Sequence, residues 1–189
     1  MVVVGIRPHI HLVVGAGVEA FLVLRSNYAK TLAVHNVCQY ILGVGDRHLD
    51  NIMLSRHGHL CHIAFGYIFG RDPKPLPPPM RLIKEMIDAM GGPESTNYRR
   101  FRSYCCQAYN ILRKSANLVL CLLNLMRDAG IKALAEAPDV TMAKLQDKFR
   151  LDVDDESADQ IFLKLLDESV AALAPAFFEW IHQVRVAMR

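Results

Sequence analysis

Two short stretches of this chain hold residue types that can do chemistry. The first, Gly43-Val44-Gly45-Asp46-Arg47-His48-Leu49-Asp50-Asn51, sets a carboxylate, an imidazole and an amide within a few positions of one another. The second is His62-Ile63-Ala64-Phe65-Gly66. Asp46 and His48 are candidates to orient or deprotonate an attacking hydroxyl, and Asn51 offers an oxygen to a cation. These are parts of a phosphoryl-transfer site, which needs a group on the nucleophile, metal ligands and positive charge on the transferring phosphoryl group. A second metal ligand is expected where the chain returns, just before Phe65-Gly66.

The flanking patterns supply elements that can carry these stretches. From Tyr28 to Leu42 the residues Leu32, Ala33, Val37, Tyr40 and Ile41 recur at helical spacing, and Gly43 and Gly45 end the pattern. A helix therefore feeds the first stretch. Asn51 to Ser55 and Leu60 to Phe65 are short and apolar around Arg56-His57-Gly58-His59, which predicts a β-hairpin with one chemical stretch at each end. Gly70 to Pro79 holds five of the nine prolines, so it reads as a stiff, extended, substrate-facing loop. Helical patterns follow over Met80–Met90, Tyr98–Lys114, Ala116–Asp128 and Val140–Phe149. Asp152 to Asp155 offer N-caps for Glu156–Leu173, and Pro175 precedes a last helix, Ala176–Met188.

Gly-Asp-Arg-His-x-x-Asn followed by His-Ile-x-Phe-Gly resembles the catalytic and metal-binding loops of the phosphatidylinositol 3-/4-kinase superfamily. Protein kinases write the first motif His-Arg-Asp. The run Gly70-Arg71-Asp72-Pro73-Lys74-Pro75-Leu76-Pro77-Pro78-Pro79-Met80 is similar to the activation loop of class III phosphatidylinositol 3-kinases. The similarity continues through Lys84-Glu85-Met86, Met90-Gly91-Gly92, Gln146 to Leu151 and Asp167 to Val170, and covers residues 28–189.

The resemblance implies an α+β, mostly helical fold: the C-lobe of a protein-kinase-like catalytic domain over 28–189, behind an unassigned segment 1–27. Its catalytic loop would be 43–51, its metal loop 62–66, its activation loop 67–80 and its membrane-type helix 176–189. It implies transfer of the ATP γ-phosphate to the 3-hydroxyl of phosphatidylinositol with Mg2+, or Mn2+, in autophagy and endosomal trafficking. Asp46 and His48 would serve the inositol hydroxyl, Asn51 would bind metal, and Met53 and Ile63 would floor the adenine pocket. Arg71 and Lys74 would meet the lipid phosphate, and Phe177, Phe178, Trp180 and Ile181 the membrane. Regulatory subunits of the class III complex are the implied partners, and the implied setting is cytoplasmic and peripheral on endosomal or autophagic membranes.

Where this family has Asp before Phe-Gly, this chain has Ala64, whose methyl group cannot hold a cation. Metal stabilisation of phosphoryl charge is worth roughly several kcal/mol, and about 1.4 kcal/mol is tenfold in rate. Activity is expected to fall by orders of magnitude unless Asp50 or Asp72 substitutes. Only 45 residues precede Asp46, so the smaller lobe and its phosphate-gripping lysine are expected to be largely absent. The alternative is a non-catalytic pseudokinase lobe that docks on membrane or partners.

Other features point to less. With 52% hydrophobic and 22% charged residues the 189-residue chain reads as one globular unit, and a net charge of +3 does not argue for nucleic acid. Five cysteines without C-x-x-C spacing suggest idle thiols in a reducing compartment. Met1 to Leu24 is apolar but interrupted by charge, so neither a membrane span nor a signal peptide fits. Gly15 to Ala20 is a weak phosphate-turn pattern, and His57, His59, Cys61 and His62 lack the second ligand pair of a zinc finger. Cys105-Cys106 and the Leu118–Leu125 run are expected in the core. The stripe Phe177, Ile181, Val184, Met188 suits either a packed helix or one lying in a lipid interface.

Overall fold

A computed structural model describes residues 4–5, 17–73, 75 and 77–172. Lys74 and Phe177, Phe178, Trp180 and Ile181, which the sequence suggests for contact with a membrane, lie outside the described residues, as does the whole of 176–189.

The fold is mostly helical, with one small sheet. In order the elements are β1 (Val4–Gly5), α1 (Val18–Leu42), a 3-10 turn (Leu49–Asn51), β2 (Ile52–Leu54), β3 (Leu60–His62), α2 (Lys84–Ala89), α3 (Thr96–Lys114), α4 (Ala116–Leu125), α5 (Lys132–Glu136), α6 (Pro138–Lys148) and α7 (Asp155–Ala172). The strands are ordered β1-β2-β3 and antiparallel, with Ile52 opposite His62 and Met53 opposite Cys61.

Helix α1 runs through the middle of the molecule. Tyr28, Ala29, Leu32, Ala33, Val37 and Ile41 are all buried along it. Against it packs α3, whose Phe101, Cys105 and Tyr109 recur every four residues and are fully buried. Helix α7 supplies Ala158, Phe162 and Leu166 at the same spacing, one apolar stripe per helix. The rings of Tyr40 and Tyr109 stand 5.6 Å and 4.9 Å from that of Phe162. Each large side chain buried this way contributes about 1.5–3 kcal/mol. Cys105 thus lies in the core as expected, whereas its neighbour Cys106 is only half-buried.

Four readings change. Helix α1 starts at Val18, ten residues before the Tyr28 at which its pattern becomes legible, and the line at residue 27 falls inside it. Its first turns expose Val18, Leu22 and Val23, so burial leaves no periodic mark there. The helix expected from Met80 begins at Lys84, because Met80 and Leu82 are buried while Arg81 and Ile83 are only half so, the alternation of extended chain. Helix α5 is five residues long, too short for a periodic signal. The Leu118–Leu125 run is only partly core: Val119 and Leu120 pack half-buried against the core, while Leu118, Leu122 and Leu125 are exposed, Leu125 to 81%, and Ala116 is the one fully buried residue of α4.

Candidate active site

Helix α1 ends where Gly43 takes the left-handed conformation, φ 57°. Lys148, at the end of α6, donates to the Tyr40 carbonyl at 2.9 Å and so satisfies the last turn of α1 from below. Burial, with help from Arg47, pushes that lysine down to about 8. The chain then turns through Val44 to His48 and the 3-10 turn into β2.

This catalytic loop is fastened to the root of the proline-rich segment by backbone. Gly45 N–H donates to Tyr67 O at 2.8 Å, Phe69 N–H to Leu42 O at 2.7 Å and Gly70 N–H to Gly43 O at 2.9 Å. The two strands of chain lie so close that a Cβ on Gly45 would sit 2.1 Å from the Arg71 carbonyl oxygen. Glycine is required there by space.

Side chains complete the fastening. Asp72 is 7% exposed, accepts the Asp46 N–H at 3.3 Å and faces Arg47 Nη2 at 3.7 Å, Arg47 being 6% exposed. Arg47 Nη2 also donates to the Pro78 carbonyl at 2.7 Å. One buried guanidinium therefore holds both feet of the proline-rich segment. Burial lowers the pKa of Arg47, Asp72 raises it and Arg81 lowers it again. Behind it Gln39 Nε2 meets His35 Nε2 at 2.8 Å, and Gln39 Oε1 accepts the Arg81 N–H at 3.5 Å. Desolvation, with His62 and Arg47 nearby, pushes His35 down to about 4.

Within this frame Asp46 adopts φ 49°, a left-handed conformation that non-glycine residues seldom hold. Asn51 secures it, donating from Nδ2 to the Asp46 carbonyl at 2.7 Å. His48 Nε2 stands 3.6 Å from Asp46 Oδ2, and His48 Nδ1 3.8 Å from Asp50 Oδ2. The carboxylate and imidazole form a half-exposed pair that can take up the proton of a hydroxyl placed between them.

The hairpin brings the second chemical stretch alongside. Its turn rests on α1, where Asn27 Nδ2 donates to His57 O at 3.0 Å and Thr31 Oγ1 accepts the Leu60 N–H at 3.0 Å. Its open end closes with Ile63 N–H donating to Asn51 O at 2.9 Å. Ala64 is the next residue. Ile52 and His62 share the inner face, which leaves Met53, Cys61 and the exposed Ile63 on the outer one. His62 stacks edge-on to Phe65 and stands 5.6 Å from His35.

Of the predicted residues, the structure brings together Asp46, His48 and Asn51, and sets Ala64 beside them; Met53 and Ile63 share one face. Arg71 is turned aside and paired with Glu136 of α5. Of the side-chain oxygens in the two stretches and the loop beside them, Asn51 supplies one amide oxygen and Asp46 a half-exposed carboxylate, Asp72 faces Arg47 and the Asp46 amide, and Asp50 is 81% exposed beside His48. Among the described residues no group of three or more His, Cys, Asp or Glu could hold a metal ion, the hairpin histidines included. Arg47, Asp72, Gln39 and Lys148 were not singled out as members of the frame, since contacts between residues 25 or more apart leave no periodic trace.

No helix among the described residues is long and apolar enough to cross a membrane. Residues 15–135 match the sequence profile of the family described as phosphatidylinositol 3- and 4-kinase. Over 156 residues, 82% of the chain, it is 56% identical to phosphatidylinositol 3-kinase, root isoform, of Glycine max, and 55% identical to phosphatidylinositol 3-kinase VPS34 of Arabidopsis thaliana. Over 168 residues, 89% of the chain, it is 43% identical to phosphatidylinositol 3-kinase VPS34 of Saccharomyces cerevisiae. It spans 19% of the length of each of these relatives. With its profile match extending over more than half of its length, the chain belongs to the phosphatidylinositol 3- and 4-kinase family.

Proposed function

We propose that this chain is the C-lobe of a class III phosphatidylinositol 3-kinase catalytic domain, arranged for phosphoryl transfer from ATP to the 3-hydroxyl of phosphatidylinositol but disabled at its metal loop. The observation that carries the reading is the bond from Ile63 N–H to Asn51 O at 2.9 Å, which sets Ala64 next to the catalytic loop. In this reading His48 takes the inositol hydroxyl proton, and Asp46, 3.6 Å away, steadies the imidazole as it gains charge. Met53 and Ile63, on one face of the hairpin, lie under the adenine. The root of the activation loop is fixed through Arg47 and Asp72, and Arg71 and Lys74 are the cations of the substrate-facing segment in this reading. Mg2+ would ordinarily shield the phosphoryl oxygens in such a site, and the donors present fall short of holding it. The setting would be peripheral on endosomal or autophagic membranes, with the regulatory subunits of the class III complex as partners.

The test is a chimera in which this lobe replaces the corresponding lobe of the Saccharomyces relative. With Ala64→Asp the chimera is expected to make 3-phosphoinositide from phosphatidylinositol. With Ala64 it should match a His48→Ala control, and activity clearly above that control would refute the inactivity.

The exposed leucines of α4 favour a second reading, a pseudokinase lobe that docks on membrane or on partners. In that case Ala64→Asp restores no phosphorylation in the chimera.

A further inference from the structure

We propose that Glu136 is an internal competitor for the phosphodiester of a membrane phospholipid: it holds the activation-loop guanidinium of Arg71 until an anionic lipid displaces it. The inference rests on the reading of this loop as substrate-facing and adds a latch to it.

The root of Arg71 cannot move far. Its carbonyl is pressed against Gly45, and the preceding residue, Gly70, is bonded to Gly43. Only the side chain is free to swing, and it reaches across to the last residue of α5, where its Nη2 donates to Glu136 Oε2. The carboxylate gains nothing from its own helix, because it stands at the C-terminal end, among carbonyl oxygens. Its other neighbour is Lys132, whose Nζ is 3.9 Å from Oε1. The acid therefore engages two cations that a lipid phosphate could also use.

Exposure makes the contact exchangeable. Arg71 is 37% and Glu136 51% exposed, so the pair is solvated and weak. Contrast Arg47 with Asp72, where burial at both partners makes exchange costly. A phosphodiester presents a guanidinium with the same paired oxygens as a carboxylate. At an anionic surface the exchange gains further, because Lys132 is released along with Arg71.

The experiment uses the full chain and phosphatidylcholine vesicles with and without phosphatidylinositol, read by co-sedimentation. Glu136→Gln is expected to raise phosphatidylinositol-dependent binding about two- to fivefold, the range open to one exposed ion pair. Arg71→Gln should abolish the gain, so that the double variant behaves as Arg71→Gln alone. Glu168→Gln, which removes an equal charge from α7, should leave binding unchanged. The proposal is overturned if Glu136→Gln binds as the unaltered chain does, if the gain survives in the double variant, or if Glu168→Gln produces the same gain. Titration with free inositol 1-phosphate, followed on the Arg71 Nε–Hε resonance, separates the sources of the anion. Tightening there without any vesicle gain would also overturn it. If the unaltered chain distinguishes phosphatidylinositol vesicles and Glu136→Gln adds nothing, the latch alone fails. If no variant distinguishes them, the substrate-facing reading of the loop fails with it.

Discussion

The catalytic loop and the metal loop lie side by side, yet they are built differently. The first is fixed from three directions: backbone bonds to Tyr67 O and from the N–H groups of Phe69 and Gly70, a buried Arg47–Asp72 pair, and the Lys148 amino group under the end of α1. The second is joined to the first through Ile63 N–H, and past that point Phe65 stands exposed. A substitution in the first would pull on many contacts. A side chain at the half-exposed Ala64 can change at little cost to the fold, because few contacts depend on it. Such a contrast would let a site keep its frame while the side chains of one loop vary.

The sharpest way to break this comparison is to attack the frame. Asp72→Ala leaves the buried Arg47 guanidinium without its carboxylate, and breaking one side of a buried pair costs about 3–5 kcal/mol. Urea denaturation measures it. A loss under about 1 kcal/mol, the range of an exposed pair, would show that the catalytic loop is held no better than the metal loop.

Next comes acid. His35 is buried behind the loop and titrates at about 4 rather than 6.5. Between those values the unfolded chain binds the proton and the folded chain does not. The contribution is therefore whole above the unfolded value and is lost as pH falls toward the folded one, by about 3 kcal/mol. His62, also lowered by burial, adds in the same direction. His35→Phe should flatten this acid limb in denaturation series from about pH 7 to about pH 4. It should also lower stability at neutral pH, since Gln39 loses its acceptor.

A smaller effect is expected from space alone. Gly45→Ala drives a methyl group into the Arg71 carbonyl, and the two strands of chain must part by more than an ångström. The cost is about 2 kcal/mol, near the middle of the range for overpacking. The same melt should show the proline-rich segment becoming more open to protease, because its root is what moves.

These residues also mark what the amino-acid sequence made legible. The two chemical stretches, the hairpin between them and the second half of α1 were open to reading, because turn residues and buried periodicity mark them directly. Glu136 and Asp72 were not legible as partners of Arg71 and Arg47, since those pairings span 25 or more positions. The leucines of α4 misled for the opposite reason. An apolar run predicts burial only if something covers it, and among the described residues Leu118, Leu122 and Leu125 remain exposed. Asp46, His48 and Asn51 stood out by type and spacing, whereas Met53, Ile63, Arg71 and Lys74 came only with the family resemblance; the groups that hold the loop needed the fold.

The smallest change in stability should come from the substitution that matters most to chemistry. Ala64→Asp adds a carboxylate at a half-exposed position beside Ile63, which is bonded to Asn51 and through it to Asp46. Without metal the expected loss is about 0.5 kcal/mol, typical of a surface site. With Mg2+ or Mn2+ the two carboxylates and the Asn51 oxygen can share one cation, and anything that binds only the folded state raises its midpoint. Thermal melts with and without metal should therefore separate the two chains: Ala64→Asp shifts upward and the unaltered chain stays put. An equal shift in both would mean that the metal loop already has its ligand elsewhere. No shift in either would mean that the fault lies in the backbone around Ala64 rather than in its missing carboxylate, and the contrast between an intact frame and a lost side chain would be wrong.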